Sequence, residues 1–460
     1  MSADPSPLAL VGVTAPAWPA LGALVLGALV LLPRPPAERW VARIALGSLW
    51  LSFASMLAAT AAWLLAGPGA LEVDLGHWFH AGDYGFELGF LVDETSVPVA
   101  LLVGVLLLAT SRFSVNYLHR EPGFARFFLL VLVFGAGMLV LVLGARLELV
   151  FAGWEVVGMT SVLLVAFFRE RSGPVRAAIR VLVTYRICDV GLVLGAVWLH
   201  LAVHTTSFAE LGRLAAAPAT AALVPTTAVG LALIVAAMGK SAQFPVGGWL
   251  PRAMEGPTAS SAVFYGGLSV HAGVYLLLRT APLLDASPVA RTVLIVVGAV
   301  TAAMGALSGQ VSADAKTALA HATISQVGLM FVECGLGLHR IALVHLVAHA
   351  TLRYYQFLRT PSTLKDALAR RAALGRTEPD EAAARWEGLG LGLRRFLYRL
   401  ALERFAVEPA LERWLVRPVL GASAWLDRLE SRALGRLARP RRTKRSRRDA
   451  TERPATETQP

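Results

Sequence analysis

The chain has 460 residues, of which 56% are hydrophobic and only 16% charged, with a formal net charge of +12. So little charge excludes a string of soluble domains, where about 25% of residues are charged. Nor does the positive excess mark a nucleic-acid binder, because residues 361–460 hold 22 of the 43 basic and 13 of the 31 acidic residues, nine of the twelve net charges.

What remains is an apolar body. A helix needs about 20 mostly apolar residues to cross a bilayer. Runs of that kind predict eleven spans, at 10–33, 41–66, 91–112, 125–145, 148–168, 178–202, 223–244, 258–279, 289–309, 315–336 and 341–360. The runs are continuous rather than alternating, which excludes a transmembrane β-barrel. No positive stretch precedes the first run, and it is too long for a cleaved signal. Loops 34–43, 112–126 and 169–176 carry Arg34, Arg39, Arg43, Arg112, Arg120, Arg126, Arg169, Arg171 and Arg176. Loop 67–90 has no Lys or Arg but does have Glu72, Asp74, Asp83 and Glu87. This asymmetry predicts an N-terminus outside and a C-terminus in the cytoplasm.

The expected organisation is 1–90, two helices and an outside loop; 91–360, a conducting membrane domain; 361–437, an amphipathic cytoplasmic segment; and 438–460, a basic disordered tail. In the third segment Phe396, Leu397 and Leu400 alternate with Arg394, Arg395 and Arg399, while Trp414 and Trp425 suit a membrane interface or a partner surface. The last stretch is polar and rich in Arg and Lys, a composition that does not fold alone but is suited to anionic lipid.

Function is sought in the ionisable groups inside the spans, since a charge in hydrocarbon costs a few kcal/mol or more and usually faces a polar pathway. Glu155 sits in mid-span. Arg186 and Asp189 are three residues apart, on one helical face. Lys240 ends an apolar run and precedes SAQFP, where Pro245 is expected to break the helix. His271 lies in the eighth span, Lys316 and His321 begin the tenth, and His345, His349 and Arg353 form an i, i+4, i+8 stripe in the last.

Only four residues are lysine, at 240, 316, 365 and 444, in a chain that otherwise uses Arg. Arg holds its proton in proteins, whereas Lys and His can both gain and lose one. The expectation is therefore a proton relay of Glu155, Lys240, Lys316, His345 and His349, supported by Arg186, Asp189, His271, His321 and Arg353. A plain helix-pairing salt bridge is the alternative for Glu155. Zinc at His345 and His349 lacks a third ligand. Cys188 and Cys334 lie within spans and are expected to pack as small apolar residues. There is no Rossmann glycine fingerprint, iron–sulfur cysteine cluster or CxxCH, so no cofactor is expected on this chain.

At these residues the chain resembles the antiporter-like membrane subunits of respiratory complex I and of Mrp-type cation/proton antiporters, nearest to the L subunit of NADH-quinone oxidoreductase. The resemblance rests on WEVVGMTSVLLVAFF, TYRICDVGLVLG, GKSAQFPVGGWLPRAMEGPTASSA, ADAKTALAHATISQVGLMF and HLVAHATLRYYQFL, and covers about residues 90–360. It implies an all-α polytopic fold of two inverted five-helix repeats, each with one broken helix. Glu155 and Lys240 would be the coupled acid/base pair of the first half-channel, and Lys316, His345 and His349 would form the central relay. Three departures stand out. Arg353 replaces a usual lysine, Tyr265 replaces a usual histidine, and the second repeat is truncated by two helices. The ending HxxxHAxLRxxQxLRxPS also resembles short membrane subunits of DAB-type inorganic-carbon uptake systems.

Three functions follow: a proton-translocating subunit driven by redox chemistry on partner subunits, one energising bicarbonate or CO2 uptake, or a non-conducting scaffold. The expected partners are other membrane and soluble subunits, the lipid of a bacterial-type inner membrane, and protons or Na⁺, but no nucleic acid. Lys240→Ala and Glu155→Gln are each expected to abolish proton-coupled activity while expression survives.

Overall fold

The computed structural model describes residues 6–33, 36–67, 69–81, 84–215, 225–312, 314–360, 391–403, 405, 409 and 411–437. The expected tail 438–460, the stretch 361–390 and Arg34 lie outside these residues. The described parts form two compact units, 1–410 and 411–460.

In the first unit the chain opens with α1 (Pro7–Val13) and α2 (Ala17–Val30), bent by 42° at the break before Ala17. Next come α3 (Glu38–Ala66), α4 (Ser96–Tyr117), α5 (Phe124–Leu143), α6 (Leu147–Val165), α7 (Ser172–Val203), α8 (Phe208–Ala215) and α9 (Thr226–Lys240). The broken span α10 (Thr258–Arg279) is followed by α11 (Pro288–Gln310), α12 (Ala315–Gly335), α13 (His339–Arg359) and α14 (Leu391–Leu402). Every expected span coincides with one of these helices or broken helices.

Seven described helices are long and apolar enough to cross a membrane, or eight if α1 and α2 count as one. The other three expected spans fall on α9, only 15 residues long, and on α12 and α13, whose polar side chains dilute their hydropathy. Those side chains are the candidate relay residues themselves.

Residues 67–90 are not a plain loop. Strand β1 (Leu71–Ala81) pairs antiparallel with β2 (Tyr84–Val92), with Val73 opposite Phe90 and Leu71 opposite Val92. The hairpin is tied to the α5–α6 turn by Ala145 N–H donating to Gly89 O at 2.9 Å and by an Arg146–Glu87 ion pair. Partial desolvation within the hairpin raises the Glu72 carboxyl above the usual carboxylate range, although the residue keeps contact with solvent. Just past β2, Asp93 accepts from Thr95 N–H and Ser96 N–H at the start of α4, and from Arg279 Nη1 at 2.5 Å. That buried ion pair fixes the hairpin base to the end of α10.

The core is centred on α10, whose apolar window is entirely buried, whereas α3, α7 and α11 leave most of theirs on the periphery. α10 is irregular: Thr258–Ser260 leads into a π-helical stretch, Ser261–Gly267, then a 3₁₀ turn, Ser269–His271, before Ala272–Arg279 resumes α geometry. Gly273 lets it lie backbone to backbone on α9, since a Cβ there would sit 2.5 Å from Ala237 O. The second unit contributes α15 (Arg417–Leu437), which exposes Val419, Trp425, Leu426 and Leu429 between its charged residues.

Candidate functional site

Two clusters of ionisable side chains lie within the first unit. The first is built on α6, α7 and the end of α9. Lys240 is the last residue of α9, where the unpaired carbonyls of a helix terminus favour a cation. Its chain is fully buried, and Nζ has no hydrogen-bond partner among the described residues. The ammonium instead lies 4.0 Å from the Tyr185 ring centroid and 5.3 Å from that of Trp154. Such cation–π contacts are worth up to about 2 kcal/mol when desolvated. Room for it exists because residue 158 is glycine: a Cβ there would collide with Nζ.

The break expected at Pro245 comes earlier, at Lys240, and is held by Trp249. The Trp249 indole donates to Gly239 O at 3.0 Å and packs edge-on to Tyr185 at 5.0 Å. Tyr265, where the resemblance leads one to expect histidine, closes the aromatic wall at 5.7 Å from Trp249 and donates to Ser161 O at 3.0 Å.

The expected Glu155–Lys240 pairing takes a different form. Glu155 Oε2 is bound by Arg186 Nη1. Arg186 also reaches Asp189 Oδ2 through Nη2 at 2.9 Å, so Arg186 and Asp189 do share a face. Asp189 is buried and accepts from Trp154 Nε1 at 2.5 Å. Arg186 therefore bridges the carboxylates of Glu155 and Asp189, while Lys240 bonds to neither. Both carboxylates are thus engaged by one arginine rather than by Lys240.

The second cluster joins α10, α12 and α13. His271 Nε2 and His349 Nδ1 are 2.9 Å apart. Arg353, one turn on, donates from Nε to His349 Nε2 at 3.2 Å and from Nη1 to Gln356 Oε1 at 2.8 Å. Arg is only a donor, so His349 Nε2 is an acceptor, and the ring proton sits on Nδ1 and points at His271. His345 lies edge-on to His349 at 6.0 Å, with Nδ1 at 2.8 Å from Glu333 Oε1 and Nε2 at 3.1 Å from Gln326 Oε1.

The remaining candidates lie apart. Lys316 donates to Thr258 Oγ1 at 2.8 Å. His321 is buried and lines a cavity of about 60 Å³ with Phe244, Pro245, Thr301 and Ser308, beside the broken end of α9. Sequence reasoning missed Trp154, Gly158, Tyr185, Gln326 and Glu333. For Glu333 the signal was available: it is a carboxylate within an expected span, as Glu155 is.

Two sequence families match the chain. One, described as NADH:quinone oxidoreductase/Mrp antiporter, matches residues 145–373, and the N-terminal part of NADH-ubiquinone oxidoreductase (complex I) chain 5 matches 78–128. NADH-quinone oxidoreductase subunit L of Mycobacterium tuberculosis is 38% identical over 291 residues, covering 63% of this chain and 46% of that protein. NAD(P)H-quinone oxidoreductase chain 5 of Synechocystis sp. is 35% identical over 290 residues, covering 62% and 43%. A solved structure, that of the Mrp complex from Dietzia sp. DQ12-45-1b, superposes with a TM-score of 0.63 at 27% identity, covering 76% of this chain and 37% of its own. The chain spans less than half the length of each of these proteins.

Proposed function

This chain belongs to the antiporter-like membrane subunits of the NADH:quinone oxidoreductase/Mrp family, and on that premise we propose that it moves protons across a membrane as one subunit of a larger complex. The observation that carries this reading is Lys240: a fully buried amine, held by ring faces rather than by hydrogen bonds, at the broken end of a helix. An amine so placed changes charge at the expense of its neighbours. When it is protonated it competes with Arg186 for Asp189; when it is neutral, Arg186 keeps both carboxylates. Proton loading at Lys240 is thereby coupled to the Glu155–Arg186–Asp189 network.

Onward transfer runs through His349 and His271, whose hydrogen bond is already made. A histidine chain carries H⁺ but offers no oxygen cage for Na⁺, which favours the proton as the coupling ion. Glu155, Lys240, His271, His345 and His349 are the relay groups in this reading, with Asp189 a full member. Lys316 and His321 flank it. Redox chemistry on partner subunits supplies the drive, and the N-terminus lies outside a bacterial-type inner membrane with the C-terminus in the cytoplasm. The test is proton flux in proteoliposomes holding the purified complex. Lys240→Ala is expected to leave assembly intact and flux at background; full flux in that variant would overturn the relay.

A further inference from the structure

The two lateral faces of the first unit treat their arginines differently. On the α6–α7 face the partly exposed guanidinium of Arg186 holds two carboxylates. On the α12–α13 face Arg353 and Arg359 hold none among the described residues: their partners there are His349, Gln356 and Tyr355. The half-buried Glu333–His345–Gln326 network opens on the same side, and Glu333 Oε2 has no hydrogen-bond partner among the described residues. Leu329, Val344, Leu352 and Tyr355 stand exposed around it. A groove of about 750 Å³ runs where α11 ends, α12 begins and α13 ends, and Gln326, Gln356 and Arg359 line it beside Gly309, Ala318 and Ala322.

Lipid tails offer such groups nothing, and an uncompensated guanidinium at membrane depth is disfavoured. A phosphate headgroup suits Arg359 at the helix end, but Arg353 lies six residues deeper, about 9 Å along the axis. Self-pairing through this patch sets two arginines and one glutamate against an identical set, so like net charges meet. We propose that this face is the docking site for a transmembrane helix of a second membrane subunit, one carrying an Asp or Glu at the depth of Arg353. Small residues on the groove floor let such a helix approach closely. The inference rests on the reading of the chain as a subunit of a larger membrane complex, and it locates the contact.

The experiment places photoreactive p-benzoylphenylalanine at Leu352 in the complex purified from its own membranes, with mass spectrometry of the adduct after irradiation. The expected adduct joins Leu352 to an apolar segment of a different membrane protein, with a carboxylate within one helical turn of the joined residue. Changing Arg353→Gln and Arg359→Gln together is expected to lower adduct yield about tenfold, equivalent to about 1.4 kcal/mol. Adducts confined to lipid, to a second copy, to the chain itself or to a helix without a carboxylate would each overturn the proposal, as would an unchanged yield in the double variant. The adduct is expected to persist in a Lys240→Ala complex. Full flux in the Lys240→Ala complex with an intact adduct therefore counts against the transport reading alone, and background flux in that variant with no adduct in the unaltered complex counts against the docking face alone.

Discussion

Around Lys240 the bundle gathers two carboxylates, a guanidinium and an amine, and lets aromatic faces hold the amine. Around His349 it gathers imidazoles joined end to end, with one arginine at their edge. The first arrangement is governed by charge balance, so adding or removing one proton redistributes every ion pair in it. The second is governed by which ring nitrogen carries hydrogen, so in the proposed relay it would pass a proton by exchanging one tautomer for the other. A path built from both has a loading step set by electrostatics and a transfer step set by hydrogen-bond direction.

Substitutions can break this contrast. The largest effect is expected for Lys240→Ala, which removes the loading site and should leave only background flux in proteoliposomes. Next comes a ranking of the acids. Asp189→Asn should lower flux roughly tenfold, an effect of about 1.4 kcal/mol, and Glu155→Gln should lower it less, because Arg186 then stays on Asp189. Flux measured side by side checks the ranking, and a larger loss from Glu155→Gln would return Glu155 to the leading role expected from sequence. His349→Gln keeps a neutral hydrogen-bonding group but cannot relay a proton, and a several-fold loss of flux is expected. Since no charge is removed, about the same thermal stability should remain in detergent. Smallest is Arg353→Lys, expected to raise flux by roughly twofold, since lysine can release the proton that arginine holds. A fall in flux there would show that the guanidinium geometry matters more than its fixed charge.

Much of the fold was legible because long apolar runs have few alternatives to a transmembrane helix. The number of spans was less so: α12 and α13 carry Lys316, His321, Glu333, His345, His349 and Arg353, and what makes them interesting lowers their hydropathy. The β1–β2 hairpin was hidden by its acids, which drew 67–90 into a charge argument, although Gly82-Asp83 between two β-rich runs is a hairpin signal. At the site, the scarcity of lysine pointed to Lys240, and spacing placed Arg186 with Asp189. Spacing did not reveal that Arg186 takes Glu155, because that depends on how α6 and α7 are rotated against each other. The aromatic cradle was invisible for a similar reason: Trp154, Tyr185 and Trp249 come from three separate segments and look like ordinary core residues along the chain.

The hydrogen bond from Arg353 to His349 has one more consequence. A neutral imidazole relays by taking a proton at its free nitrogen as it releases the one on the other, and the free nitrogen of His349, Nε2, is occupied by an N–H that arginine never gives up. In the proposed relay each passage would therefore require this one hydrogen bond to open first, which would make the Arg353 side chain a turnstile on the wire.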